Sequence, residues 1–240
     1  MSGVPKRWGQ HGGVGSLARR IPFVTKEGSV QRLWLCRHGQ TAANQHHLIQ
    51  GSGIDLPLNT VGQQQALKLG EALASFRFDV IASSDLIRAK ASPVSSLSHL
   101  HPTPSSLLPR VPSQETATAL ASYHPQTYYG MIDEGLREMN FGALEGQRIA
   151  DVSEERAAIE GRWDQGELSL CWPGEGGESP SGVAARGVRA LLELLDADAE
   201  PSNVAVVAHG RCNKYCLAAL LCAPSAPAAT SCASILDACC

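Results

Sequence analysis

Residues 32–39, RLWLCRHG, and residues 203–210, NVAVVAHG, share one plan: a short apolar run that passes without a break into a histidine and a glycine. Each run is too short for an ordinary helix and lacks the alternation of a half-exposed strand, which is the pattern of a strand buried on both faces. Arg32–Cys36 and Asn203–Ala208 are therefore read as strands, and Asp79–Ser83 as a third. Between them lie helical signals. Thr60 caps a helix to about Ser75, with Ala66, Leu69, Leu73 and Phe76 near one face. A helix starting at Asp85 carries Arg88, and others are expected over Glu115–Ser122, near Arg148–Trp163, over Ser181–Leu195 and from about Cys212 to Leu221. Leu136–Gly142 reads as extended or loop. This alternation predicts an α/β fold, a three-layer sandwich with a mostly parallel sheet and helices on both faces. Sites in such sheets collect at the carboxyl ends of strands, so Arg37-His38 and His209 are expected to share one crevice.

One window breaks the alternation. Residues 91–114, ASPVSSLSHLHPTPSSLLPRVPSQ, are half serine and proline, with Arg110 the only formal charge. Five prolines forbid a regular helix or a central strand, and structureless stretches this long are unusual inside compact domains. Joining Lys90 directly to Glu115 gives SDLIRAKETATALA, a continuous amphipathic helix. The window is thus expected to be an irregular insertion into a helix, with a retained intron or a genuine surface loop as its two possible origins.

The 240 residues suit one sizeable domain, here expected at 31–240, and 43% hydrophobic with 18% charged residues is a globular composition. A net charge of −3 gives no basic footprint, so nucleic acid is not an expected partner. No apolar run reaches the length of a membrane span. Eight cysteines lack both the spacing of a disulfide framework and any CxxC pair, and a zinc set of Cys212, Cys216, Cys222 and Cys232 fails on spacing. Reduced thiols, a soluble chain and a cytoplasmic location are the expectation. Residues 1–30 read as a disordered or transit-like arm, because five basic residues precede the first acid, Glu27. A transit segment there would place the protein in a plastid or mitochondrion. After Leu221 the chain turns rich in Ala, Ser and Cys, with Ser234–Asp237 as a last short strand that an early stop would cut short.

The chemistry-bearing residues sit where the strands end. Phosphoryl transfer needs a nucleophile, positioning, and charge stabilisation on the equatorial oxygens. Guanidinium groups bind two phosphate oxygens at once, an unprotonated imidazole is nucleophilic near neutral pH, and a carboxyl must protonate the leaving oxygen. LWLCRHGQTAAN (33–44) supplies Arg37, His38 and Asn44; SSDLIRAK (83–90) supplies Arg88; LREMNFGALEGQ (136–147) supplies Glu138; VVAHGRCNK (206–214) supplies His209. Any one of these is weak alone, since a motif is only a hypothesis until its context fits. In this order and in these contexts they are specific.

Taken together these segments resemble the histidine phosphatase superfamily, also called phosphoglycerate mutase-like, over about residues 31–222 apart from the 91–114 window. The resemblance implies that His38 attacks phosphorus, that Arg37, Arg88 and a protonated His209 line the phosphate pocket, and that Glu138 protonates the leaving oxygen and then activates water. Glu145, in the same segment, is the rival for the acid role. Asn44, Gln50, Gly51 and Gly210 are implied to contact phosphate or substrate, and Gly176-Gly177-Glu178-Ser179 with Arg186 to be structural or near the pocket rim. No metal or other cofactor is implied. The expected partner is a small phosphorylated metabolite, and the oligomeric state is left open. REMNFGALEG looks more like the phosphatase branch than the mutase branch. A phosphoglycerate mutase-type transfer, or a non-catalytic member whose pocket the 91–114 insertion disrupts, are the alternatives.

Overall fold

The computed structural model describes residues 18–24, 30–90, 116–196 and 201–222. Five strands form one sheet: β1 (Ala18–Val24), β2 (Val30–Arg37), β3 (Val80–Ser84), β4 (Tyr128–Asp133) and β5 (Asn203–Ala208), in the order β1-β2-β5-β3-β4. The four strands β2, β5, β3 and β4 are parallel, and β1 runs antiparallel at the edge. The helices are α1 (Ala42–Gln45), α2 (Thr60–Leu73), α3 (Thr116–Ala121), α4 (Ser153–Asp164), α5 (Pro180–Leu195) and α6 (Gly210–Cys222).

Successive side chains of a strand point to opposite faces, and the central strands are apolar on both. Leu33 and Leu35 of β2 join Val204, Val206 and Ala208 of β5 in a core with α5 and α6, sealed by Trp163 and Trp172. Trp34 and Cys36 join Ala205 and Val207 in a second core with α2 and α3. That is the α/β sandwich expected from the unbroken apolar runs. Asn59 caps α2 by accepting from the Gly62 N–H at 2.8 Å. The start of α2 then lies directly on the loop after β2: a Cβ on Gly39 would sit 2.3 Å from the Gly62 carbonyl oxygen, and one on Gly62 only 2.0 Å from that of Gln40. Glycine at both positions lets the helix reach the histidine loop.

Four elements depart from the sequence reading. Ala18–Val24, read as part of a disordered or transit-like arm, pairs with β2 in full register from Ala18↔Cys36 to Val24↔Val30. Its basic, weakly periodic sequence hides the pairing, because the free edge of β2 supplies the backbone partners. β4 was not anticipated, and it completes the opposite edge. Asp85–Lys90 forms a tight turn in place of a regular helix, closed by the Ala89 and Lys90 N–H groups donating to the Leu86 carbonyl at 2.9 and 3.0 Å. α4 starts at Ser153, five residues later than read, after backbone bonds between the 47–49 and 146–149 segments. The first seventeen residues, the 91–114 window and Ser234–Asp237 lie outside the described residues. No helix of the described residues is long and apolar enough to cross a membrane.

Candidate active site

Three neighbouring parallel strands bring the site together. β2 and β5 are in register at their ends, Arg37 opposite Ala208, and the His38 N–H donates to the Ala208 carbonyl at 3.1 Å. The rings of His38 and His209 therefore lie 5.1 Å apart, centroid to centroid. β3 flanks β5 on the other side and leads into the turn that carries Arg88.

His38 is buried, and its Nδ1 lies 2.6 Å from the Gly39 carbonyl oxygen. A carbonyl only accepts, so Nδ1 carries the proton and Nε2 keeps its lone pair. Burial, with the Arg88 and Arg37 charges beside it, pushes the His38 pKa down to about 3, so the ring is neutral at any ordinary pH.

Arg88 is 1% exposed. Nη1 donates to the Ile54 carbonyl and Nη2 to the Gly51 carbonyl, each at 3.0 Å, and Nε donates to His209 Nδ1 at 3.3 Å. The Asp55 carboxylate stands 3.7 Å from Nη1. Three of the five guanidinium N–H groups are thus engaged, and two remain for an anion. Arginine can only donate, so His209 Nδ1 is an acceptor and its proton sits on Nε2. That nitrogen is buried and without a hydrogen-bond partner among the described residues. Burial, followed by the neighbouring His38 and arginine charges, holds the His209 pKa well below the usual imidazole range. With its Nδ1 accepting from Arg88, the ring offers one Nε2–H.

Glu138 stands in the loop after β4, and its carboxylate meets the start of α6. Its Oε1 accepts from the N–H groups of Met139 (2.9 Å), Cys212 (3.0 Å) and Arg211 (3.1 Å), whereas Oε2 has a single contact, 3.2 Å from the Arg211 nitrogen. Oε2 is the less engaged of the two oxygens. Arg186, on α5, fixes the backbone around it. The guanidinium donates to the carbonyls of Gly135, Arg137 and Glu138 and twice to the Glu178 carboxylate, at 2.7–3.1 Å. All five of its N–H groups are occupied, so Arg186 with Glu178 is a strut beneath the acid.

The remaining anticipated residues divide into two groups. Arg37 is exposed, and its side chain makes no hydrogen bond or ion pair among the described residues. Its guanidinium packs over Gly210, where a Cβ would lie 3.4 Å from Cζ. Arg37, His38 and Asn44 line a cavity of about 210 Å³ with Gly39, Gln40 and Gln65. Gln50 is tied into the loop: its Oε1 accepts from the Thr41 hydroxyl at 2.5 Å and its Nε2 donates to the Ile54 carbonyl at 3.1 Å. Gly51 acts through its carbonyl on Arg88. Sequence reading missed Gln65, whose Oε1 accepts from the Gln40 N–H at 2.8 Å; an amide on a helix gives no signal. It also missed Thr116, whose buried hydroxyl accepts from the Gly39 N–H and donates to the Arg88 carbonyl, both at 3.0 Å. The signal was visible only in the joined string, where Thr116 stands four places after Arg88. Among the described residues no three His, Cys, Asp or Glu side chains gather as a metal site.

Two buried neutral imidazoles make stability depend on pH. The unfolded chain protonates histidine below its ordinary pKa of 6.5, whereas folded His38 resists down to about 3. The unfolded state then binds more protons, so stability is full above pH 6.5 and falls as the pH drops toward 3. His38 alone accounts for roughly 2 kcal/mol lost by pH 5. Urea midpoints at pH 7 and pH 5 measure this, and His38→Ala is expected to lose less over the same interval. An equal loss in both proteins would refute the assignment.

A family model described as the histidine phosphatase superfamily (branch 1) matches residues 33–110 and 94–234. The chain is 31% identical over 198 residues to a glucosyl-3-phosphoglycerate phosphatase of Mycolicibacterium vanbaalenii, covering 80% of this chain and 75% of the relative. It is 50% identical over 58 residues to the fructose-2,6-bisphosphatase TIGAR of Xenopus tropicalis, which is 24% of this chain and 21% of that protein. The match to the Xenopus laevis counterpart spans 36% of its length, so only a minor part of these frog proteins is represented. Among solved structures, a mycobacterial glucosyl-3-phosphoglycerate phosphatase complexed with VO3 superposes with a TM-score of 0.60 at 28% identity, covering 81% of this chain and 83% of that one.

Proposed function

The chain belongs to the histidine phosphatase superfamily, branch 1, and on that premise we propose that it is a phosphomonoesterase acting on a small phosphorylated metabolite through a phosphohistidine at His38. The observation that carries the reading is the His38 tautomer. The Nδ1–H bond to Gly39 leaves a lone pair on Nε2, and a ring held neutral by burial presents it without prior deprotonation.

Nε2 attacks phosphorus, forming an N–P bond as the P–O bond to the leaving group breaks. Arg37, the two free N–H groups of Arg88, and the His209 Nε2–H supply donors for the equatorial oxygens, those of Arg88 and His209 fixed in advance by the contacts behind them. Asn44 lines the same cleft. Glu138 Oε2 gives its proton to the departing oxygen, then takes one from the water that attacks the phosphohistidine, releasing inorganic phosphate and restoring Nε2. The REMNFGALEG segment (137–146) supports transfer to water over return to a second hydroxyl of the substrate. Relatives named for sugar phosphates and phosphoglycerate derivatives support a small, polar, hydroxylated leaving group.

Phosphate release from p-nitrophenyl phosphate and from a panel of sugar phosphates and phosphoglycerates tests the proposal. Saturable release by the full chain is the expected result. Conversion of 3-phosphoglycerate to its 2-isomer without phosphate release would replace the hydrolase by a mutase. Absence of both activities would overturn it.

A further inference from the structure

We propose that Glu145 is a positioning residue that sets Arg88 from behind, through the 51–54 loop; the inference rests on the phosphatase reading above. Its carboxylate accepts from the Phe141 N–H at 3.1 Å, and the backbone of Ser52 and Gly53 lies beside it. It also presses against two α-carbons. A Cβ on Gly51 would lie 1.9 Å from Oε1, and one on Gly53 2.6 Å from Oε2. The loop is gathered around this one group. The same loop turns the Gly51 and Ile54 carbonyls toward Arg88, which they hold through Nη2 and Nη1. Arg88 in turn fixes His209 through Nε. Since Glu145 closes the segment that carries Glu138, one carboxylate ties the acid's segment to the segment that aims the buried arginine.

This arrangement separates Glu145 from the acid role. The two carboxylates differ in place: that of Glu145 lies against the 51–53 backbone behind Arg88, whereas that of Glu138 meets the Arg211 and Cys212 N–H groups in the turn after His209. A carboxylate offers acceptors on both oxygens; glutamine would turn an NH2 group toward either the Phe141 N–H or the 51–53 backbone and force the loop to move. Displacements of about 1 Å at a reacting centre cost on the order of 100-fold.

The test compares Glu145→Gln with Glu138→Gln in the full chain on two substrates, p-nitrophenyl phosphate with a good leaving group and β-glycerophosphate with a poor one. Vanadate affinity by thermal shift serves as a readout that needs no turnover. A positioning residue is expected to lower kcat/KM by a similar factor on both substrates, about 10–100-fold, and to weaken vanadate binding in parallel. Glu138→Gln is expected to fall far more on β-glycerophosphate. A Glu145→Gln loss confined to the poor leaving group would make Glu145 the acid and overturn the proposal, as would unchanged kinetics and vanadate affinity. Should Glu145→Gln fail to fold, Gly51→Ala displaces the carboxylate from the other side and is expected to give the same pattern; normal vanadate binding in that variant overturns the proposal. If the unaltered chain shows no turnover, the phosphatase reading fails, while vanadate affinity still decides the role of Glu145.

Discussion

His38→Ala is expected to lower turnover of p-nitrophenyl phosphate by roughly 10⁴-fold or more, the scale seen when a covalent nucleophile is removed from a hydrolase. The site offers no substitute. His209 has its Nδ1 lone pair engaged by Arg88 and a proton on Nε2, and Glu138 Oε1 is held by three backbone donors. The fold should survive, because among the described residues the hydrogen bond of the His38 ring goes to its own neighbour, Gly39. The melting temperature at pH 7 is therefore expected to stay within a few degrees, by the stability scale of a domain of this size. In the unaltered protein, quenching turnover under neutral denaturing or alkaline conditions should leave a phosphoryl group on the His38 peptide. The Nδ1–H bond further fixes its position as Nε2. Phosphate on Nδ1, phosphate on His209, or substantial turnover by His38→Ala would each refute the mechanism.

The parts of this site that were legible in the sequence are those whose placement follows from strand order. Arg37, His38 and His209 each stand at or just past the end of an unbroken apolar run, and parallel pairing of two such runs obliges their ends to meet. The two-faced core was legible for the same reason. What stayed hidden depends on backbone donors and acceptors, which sequence patterns do not display. Gln50 matched a substrate-contact position, and its amide holds Thr41 and Ile54, a role that no sequence pattern displays. The tautomer of His209 is marked by a single guanidinium N–H, and its low pKa by burial. Glu138 and its rival Glu145 share one short segment, and only the fold shows one at the turn after His209 and the other against the 51–53 loop. β1 was concealed because an edge strand needs no apolar pattern of its own when its neighbour offers unpaired backbone.

Deleting residues 91–114, so that Lys90 joins Glu115, is expected to raise the melting temperature and to preserve activity. The warrant lies in two contacts across the break. The Ala117 N–H donates to the Ala89 carbonyl at 3.2 Å, and the Thr116 hydroxyl to the Arg88 carbonyl at 3.0 Å. In the joined chain Ala117 is the fourth residue after Ala89, and Thr116 the fourth after Arg88. The first is then an ordinary α-helical bond and the second a threonine bonding back one turn. Two independent contacts share one register, and it is the register obtained by removing these 24 positions. Closing a loop of that length costs about 3 kcal/mol of chain entropy, which the direct junction removes. For a domain of this size that corresponds to roughly 6–12 °C. Activity should change little, since Arg88 and Thr116 keep their partners. Deleting only 91–113 supplies the control. It leaves Gln114 at the junction, makes Thr116 the fifth residue after Arg88, and rotates it by about 100°. That protein should lose the hydroxyl bridge between Gly39 and Arg88, and with it both stability and vanadate binding relative to the 24-residue deletion. A lower melting temperature for the 24-residue deletion than for the full chain would instead mean that residues 91–114 contribute to the folded core.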